Sequence, residues 1–333
     1  MKNKLLLTSA LVGAVSLSAS AIAEVSLGGN VEFTFNSSSD TAAMGSTQGN
    51  GIEENISFNA SKDIDLGKLS YGFNLENGAT EGGNITLKTS SGTTFQAGSD
   101  SFQNLSATVV PNTGEAYQTV AGNISGLAYA VGYDMDDAIN KNAFGYAIGQ
   151  DVVGGMLSFR YTNHTSAGND NSAGDTGDTG GSSYTIMYKG SLGVEGLSVI
   201  AGYNNLDKSE ANTESGSGKT LGIAYNTGNV TVGAQKKKYE NPGTAATQDE
   251  FDVTELGVAM AVNDQLSVSL NHITTDGDTN GVDFGEKETI IGLGIGYNLG
   301  GLAIELSYAD VSDAGGVAGS DGEAFQLRTV QKF

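Results

Sequence analysis

EVSLGGNVEFTF, Glu24 to Phe35, sets an apolar residue or glycine at every second position: Val25, Leu27, Gly29, Val31, Phe33 and Phe35. Ser26, Gly28, Asn30, Glu32 and Thr34 lie between them. A period of two sends the two sets to opposite faces of a β-strand, one suited to apolar surroundings and the other to water. The pattern recurs at Ile56/Phe58/Ala60, Leu69/Tyr71/Phe73/Leu75, Ile85/Leu87 and Phe95/Ala97. It continues at Val120/Gly122/Ile124, Leu127/Tyr129/Val131/Tyr133, Phe144/Tyr146/Ile148 and Leu157/Phe159/Tyr161. Further rows are Tyr184/Ile186/Tyr188, Leu197/Val199/Ala201/Tyr203, Leu221/Ile223/Tyr225, Val230/Val232/Ala234 and Leu256/Val258/Met260. The last are Leu266/Val268/Leu270, Ile291/Leu293/Ile295/Tyr297, Leu302/Ile304/Leu306/Tyr308 and Phe325/Leu327. No helical period competes with them.

The connections alternate in length. Short ones are Asp63–Lys68, Ser90–Gly92, Ser125-Gly126, Val152–Gly155, Gly190–Gly196, Thr227–Asn229, Asn263–Gln265 and Asn298–Gly301. Long polar ones are Asn36–Gly51, Asp100–Ala116, His164–Gly181, Asn205–Gly218, Lys237–Glu250, Thr274–Glu286 and Ala309–Gly322. Soluble sandwiches have no reason to alternate in this way, whereas membrane β-barrels join strands by short periplasmic turns and long external loops. The rows predict eighteen strands, or sixteen if one hairpin is false, with Phe144–Tyr161 the pair read least directly. Charge follows the same division. Glu32, Lys88, Arg160, Glu305 and Arg328 fall between apolar positions and are expected on the inner wall, while the apolar face carries charge only near strand ends, as at Glu54. Tyr133, Tyr161, Tyr203, Tyr225, Tyr297 and Tyr308 close apolar rows, where amphipathic rings suit a membrane interface.

The first residues agree with export. Lys2 and Lys4 form a positive start, Leu5 to Leu17 is mostly apolar, and Ala21-Ile22-Ala23 fits a small-x-small cleavage site. Residues 1–23 are read as a cleaved signal peptide and 24–333 as a single barrel domain. Loss of the two lysines takes the net charge from −22 to −24. So acidic a chain lacks the clustered Lys and Arg that nucleic acid requires. There is no Cys, and two His leave little material for zinc or haem. The mean hydropathy of −0.17 excludes a helical membrane bundle but suits a barrel whose strands are half wetted.

The signal segment, the EVSLGG start, the alternating strands and the terminal Phe333 together resemble the Gram-negative general diffusion porins, in particular the alphaproteobacterial type. The resemblance covers the whole chain. It implies an all-β, transmembrane antiparallel barrel of 16–18 strands, with the third external loop folded inward after the fifth strand. Asp100 to Ala116 follows the fifth strand here. It also implies a homotrimer and makes Phe333 part of the signal read by the barrel assembly machinery. The family pattern has an apolar residue two positions before the end, where this chain has Gln331.

A pore needs a constriction and a field, not a nucleophile. The loop candidates are Asp100, Asn104 and Glu115. The wall candidates are Glu32, Lys88, Arg160, Glu305 and Arg328. Asp170, Asp175, Asp178, Asp276 and Asp278 offer hard oxygens of the kind calcium takes, but in neither EF-hand nor nonapeptide spacing, so the expectation is solvated loops with at most weak divalent binding. Lys236-Lys237-Lys238 is expected at an external strand end, as a solvated cluster or against anionic headgroups. His272 continues an outward row and His164 opens a loop; neither builds a catalytic triad. The expected function is therefore a passive, water-filled outer-membrane channel for small hydrophilic solutes and ions, not an enzyme. No cofactor is expected, and lipopolysaccharide is among the expected lipid partners. Its acidity predicts a mild cation preference, because acids at the mouths raise the local cation concentration. A plugged structural or adhesive barrel and a substrate-specific channel are the alternatives.

Overall fold

The computed structural model describes residues 24–40, 47–77, 79–98, 107–113, 144–163, 181–208, 215–241, 250–279 and 282–333. The first strands are β1 (Glu24–Asp40), β2 (Thr47–Ile64), β3 (Gly67–Glu76), β4 (Ala79–Thr89) and β5 (Thr93–Gly98). Then come β6 (Phe144–Val152), β7 (Gly155–Asn163), β8 (Gly181–Gly190), β9 (Leu197–Lys208) and β10 (Gly216–Asn226). β11 (Val230–Glu240), β12 (Glu250–Ala261), β13 (Leu266–Thr279), β14 (Glu288–Asn298), β15 (Leu302–Ser312) and β16 (Gly322–Lys332) complete the set. Each pairs antiparallel with its neighbours, and β1 pairs with both β2 and β16. Among the described residues Val282–Asp283 pairs only with Asp278–Thr279 at the end of β13. Sixteen strands thus close a ring.

The count settles at the lower end of the expected range. Phe144–Tyr161 is real, as β6 and β7. β5 pairs directly with β6, Phe95 opposite Ile148, so nothing is inserted between them. The alternating rows at Val120–Ile124 and Leu127–Tyr133 lie outside the described residues, as does the expected signal segment. The short–long alternation has one exception. β3 ends at Glu76 and β4 begins at Ala79, at the long-loop end. There Asn77 takes a left-handed φ of 48°, which asparagine tolerates, and its Oδ1 accepts from the Glu54 N–H at 3.0 Å.

The outer face is the apolar one. Phe33, Ile56, Ile85, Ile148, Ile186, Leu221, Ile223, Val232, Leu256, Leu270 and Leu293 are all exposed. Apolar surface on this scale in a closed barrel is what hydrocarbon contact demands. Tyrosines frame it. Tyr188 and Tyr297 sit near the short-turn end, where the Tyr297 hydroxyl meets Gln265 Oε1 at 3.2 Å. Tyr184 and Tyr203 sit towards the other end, with rings 6.1 Å apart.

The chemistry of the two faces exchanges at the long-loop ends of β9 and of β11 to β16. Outward positions there become charged: Lys236 pairs with Asp252 at 3.2 Å, Lys238 with Glu250, and Lys287 with Asp276 at 2.8 Å. Inward positions become apolar and buried: Leu206, Tyr239, Phe251, Val253, Ile273, Ile290 and Val311 form one cluster, packed by Phe284 and Ala314. The strands therefore overshoot the hydrocarbon, and the charged outward band lies above it. An arginine at Ile223, within the apolar belt, should cost roughly 2–4 kcal/mol of folding stability, against roughly 0–1 kcal/mol at Thr254 in the charged band. Equilibrium unfolding in lipid vesicles measures both; equal costs would misplace the boundary.

Candidate functional site

Ala107–Thr113, ATVVPNT, lies inside the barrel on the wall made by β10 to β14. Gln235 of β11 holds it as a neighbouring strand would: its Nε2 donates to the Ala107 carbonyl at 2.8 Å, and its Oε1 accepts from the Val109 N–H at 2.9 Å. Thr108 Oγ1 donates to Glu255 Oε2 at 2.8 Å. The Asn271 amide donates to the Pro111 carbonyl at 2.8 Å, and the Thr113 N–H donates to Ser269 Oγ at 2.8 Å. Val110 is buried among them. Proline at 111 costs this backbone nothing, because the groups it presents to the wall are carbonyls and the amides of Val109 and Thr113.

The wall makes room by omitting side chains. A Cβ on Gly257 would stand 2.5 Å from Val110 Cγ1, and one on Gly294 would stand 1.7 Å from the Thr113 carbonyl oxygen. A Cβ on Gly222 under Val109 or on Gly233 under Pro111 would stand 2.8 Å from those side chains. Glycine is required at such a close approach for want of space, whatever its φ. Beneath Thr108, Glu255 also faces Lys237 Nζ at 2.6 Å, with both side chains fully buried. The lysine run is thereby corrected. Period two turns Lys237 inward to the Glu255 pair, while Lys236 and Lys238 face outward in ion pairs.

The expected wall residues fall into three places. Arg328 of β16 is gripped by two neighbours. Its Nε lies 2.6 Å from Glu32 Oε1, its Nη2 donates to Glu32 Oε2 at 2.6 Å, and its Nη1 donates to Glu305 Oε2 at 3.2 Å. Glu305 also lines one depression with Asn112 and Thr113, which brings this cluster to the edge of the seated segment. Lys88 is elsewhere, at the short-turn rim, 3.8 Å from Asp151 and largely exposed. Arg160 is buried on β7 beside Gly145. Asp100, Asn104, Glu115, Asp170, Asp175 and Asp178 lie outside the described residues. Asp276 is occupied by Lys287, whose ammonium that hydrogen bond holds above the usual lysine range. Among the described residues no group of three or more His, Asp or Glu could hold a metal ion.

One acid on the wall is absent from the sequence-based set. Glu53 stands opposite Glu32 across β1 and β2, and it makes no ion pair among the described residues. Extending the row Ile56/Phe58/Ala60 back to Ile52 and Glu54 would have turned Glu53 inward.

No curated relative matches the chain. Several solved structures share its fold. A porin structure aligns over 93% of this chain and all of its own at 17% identity, with a TM-score of 0.64. The anion-selective porin from Comamonas acidovorans gives the same identity, coverage and TM-score. Outer-membrane expressed OmpT of Vibrio cholerae aligns over 93% of this chain and 98% of its own at 13% identity, with a TM-score of 0.60. A family model described as Gram-negative porin matches residues 8–316. The chain belongs to the Gram-negative porin family, as an integral outer-membrane β-barrel and passive channel.

Proposed function

We propose that this channel favours cations and that the Glu32–Arg328–Glu305 cluster with Glu53 carries the preference. Two carboxylates hold one guanidinium there and Glu53 stands across the sheet from Glu32, leaving a net charge of about −2 near the seated loop. A unit charge 5 Å from a permeating ion in water is worth about 0.8 kcal/mol, or roughly fourfold in local concentration. Acids in the external loops act from beyond the ~8 Å screening length and add less. The anion-selective Comamonas porin has the same fold, so selectivity is a matter of side chains rather than architecture.

In this reading the work of the protein is passage, not bond chemistry, and Ala107–Thr113 sets the bore. The working form is a homotrimer in a leaflet that includes lipopolysaccharide, inserted by the barrel assembly machinery. Support for the assembly signal comes from the seam. Phe333 exchanges hydrogen bonds with Gly29, N to O at 3.0 and 3.2 Å, and its ring lies over that glycine. The last residue thus joins the closing strand pair.

Reversal potentials under a salt gradient in planar bilayers test the selectivity. Wild type should favour potassium several-fold, and Glu53→Gln should lower that ratio while leaving Arg328 paired. A zero or anion-selective potential in wild type would sink the assignment. The loop has its own test. Gly257→Leu puts side-chain atoms where Val110 and Pro111 lie, and Lys237→Met strands the buried Glu255 carboxylate at a cost of about 3–5 kcal/mol. Both should unseat the segment, giving larger and noisier single-channel currents from a barrel that still inserts; unchanged currents would mean that the loop does not set the bore.

A further inference from the structure

Directly across the ring from the loop seat, and at its depth, the inner wall presents uncharged side chains, with Lys68 and Lys88 set nearer the short-turn rim. The seat spans β10 to β14, centred on β12, and in a ring of sixteen the opposite strand is β4. At that place β2 to β5 form a depression of about 230 Å³ lined by Asn59, Ser70, Asn74, Asn84, Thr86 and Gln96. Its depth matches the seat. Asn59 and Asn84 each lie five residues from the short-turn end of their strands, and Ser70 and Gln96 lie three. On the seat side Gly257 lies four residues from that end and Ser269 three. The depression exists because Gly72 supplies no side chain between Asn59 and Asn84, its partners across the sheet.

From this geometry we infer that the depression is a weak binding subsite for neutral polyhydroxylated solutes, of the size of one monosaccharide ring. The inference rests on the channel reading above and names a solute class for it. Three features carry it. The lining carries no charged residue, and beside Tyr71, Phe73 and two glycines its side chains are amides and hydroxyls, which offer both donors and acceptors. The three asparagine amides are not used internally. Asn84 Oδ1 is buried without a hydrogen bond, and the Asn59 and Asn74 side chains engage no other group among the described residues. Water-filled, the volume is worth about eight waters at ~30 Å³ each, room for one six-membered sugar ring.

The facing segment, Ala107–Thr113, is also uncharged, so a neutral solute between the two walls meets uncharged surfaces on both sides. Ions meet the acidic cluster on β1, β2, β15 and β16, to one side of that path. Sugar hydroxyls exchange water partners for amides here, so occupancy is weak, on the order of 10 mM, and release is fast.

The test uses the full-length channel in planar bilayers with D-glucose as probe. In wild type, glucose should reduce the salt current along a saturating curve. Asn59→Ala/Asn84→Ala should raise the half-saturating concentration about tenfold with salt current retained. Asn84→Leu, which fills the depression instead of emptying it, should weaken the response as much. A current that falls only in linear proportion to solution viscosity, or variants with wild-type half-saturation, would overturn the subsite alone. Absence of any salt current from a correctly inserted barrel would overturn the channel reading and this inference with it.

Discussion

Closure of the sheet is the constraint on which everything else rests. In hydrocarbon no water is available to satisfy a backbone N–H or C=O, so a sheet survives there only without edges. The pairing of β1 with β16 over Asn30–Asp40 and Gly322–Lys332 removes the two edges that sixteen strands would otherwise leave. Once the ring is closed, alternation has no freedom: each residue faces lipid or lumen, and a slip of one position would exchange them all. The outer rows satisfy that demand with Leu, Ile, Val and Phe. The inner rows are free to be polar, and the functional chemistry of the chain collects there.

A closed ring of this size is also wide, so the interior must be partly filled by the chain itself. Ala107–Thr113 does this by acting as an additional strand on the inner wall. Its hydrogen bonds run to side chains because the backbone of the wall is already paired. Gln235 is suited to this because one amide presents a donor and an acceptor on the same end, mimicking a peptide unit. The glycines of β10, β11, β12 and β14 let the segment approach to van der Waals contact. The buried Lys237–Glu255 pair contributes little net stability on its own, since burying both charges offsets their attraction. Its effect is on position: Glu255 can accept from Thr108 only while the lysine holds it in place.

Much of the fold was legible because its signal is local. Leu221/Ile223/Tyr225 or Ile291/Leu293/Ile295/Tyr297 identifies an outward row without any knowledge of its neighbours. Strand number is a different kind of quantity. It is settled by pairing, here Phe95 opposite Ile148, which no single row announces. The loop seat was illegible for the same reason. Gln235 contacts Val109 across 126 positions and Asn271 contacts Pro111 across 160, and no periodicity encodes such pairs. Glu32, Glu305 and Arg328 were identified as wall residues from alternation alone. That they would form one cluster depends on β1 meeting β16, which the ends of the chain do not announce.

The inner wall divides its tasks by position. On β10 to β14 it is spent on holding the loop, with glycine, amide and a buried ion pair. On the arc from β15 through β1 to β2, Glu305, Arg328, Glu32 and Glu53 concentrate the fixed charge. On β2 to β5, opposite the loop, only Asn, Gln, Ser and Thr remain around the depression. If charge had been spread evenly round the ring, every solute would cross the same field, and a neutral one would compete with the hydration of ions at each point. Grouping Glu32, Glu53 and Glu305 on one arc leaves uncharged side chains on the loop and around the depression opposite it. Under the proposed reading, ion preference and passage of neutral solutes are tuned by different residues within one bore, and that separation follows from which strands supply glycine and which supply carboxylate.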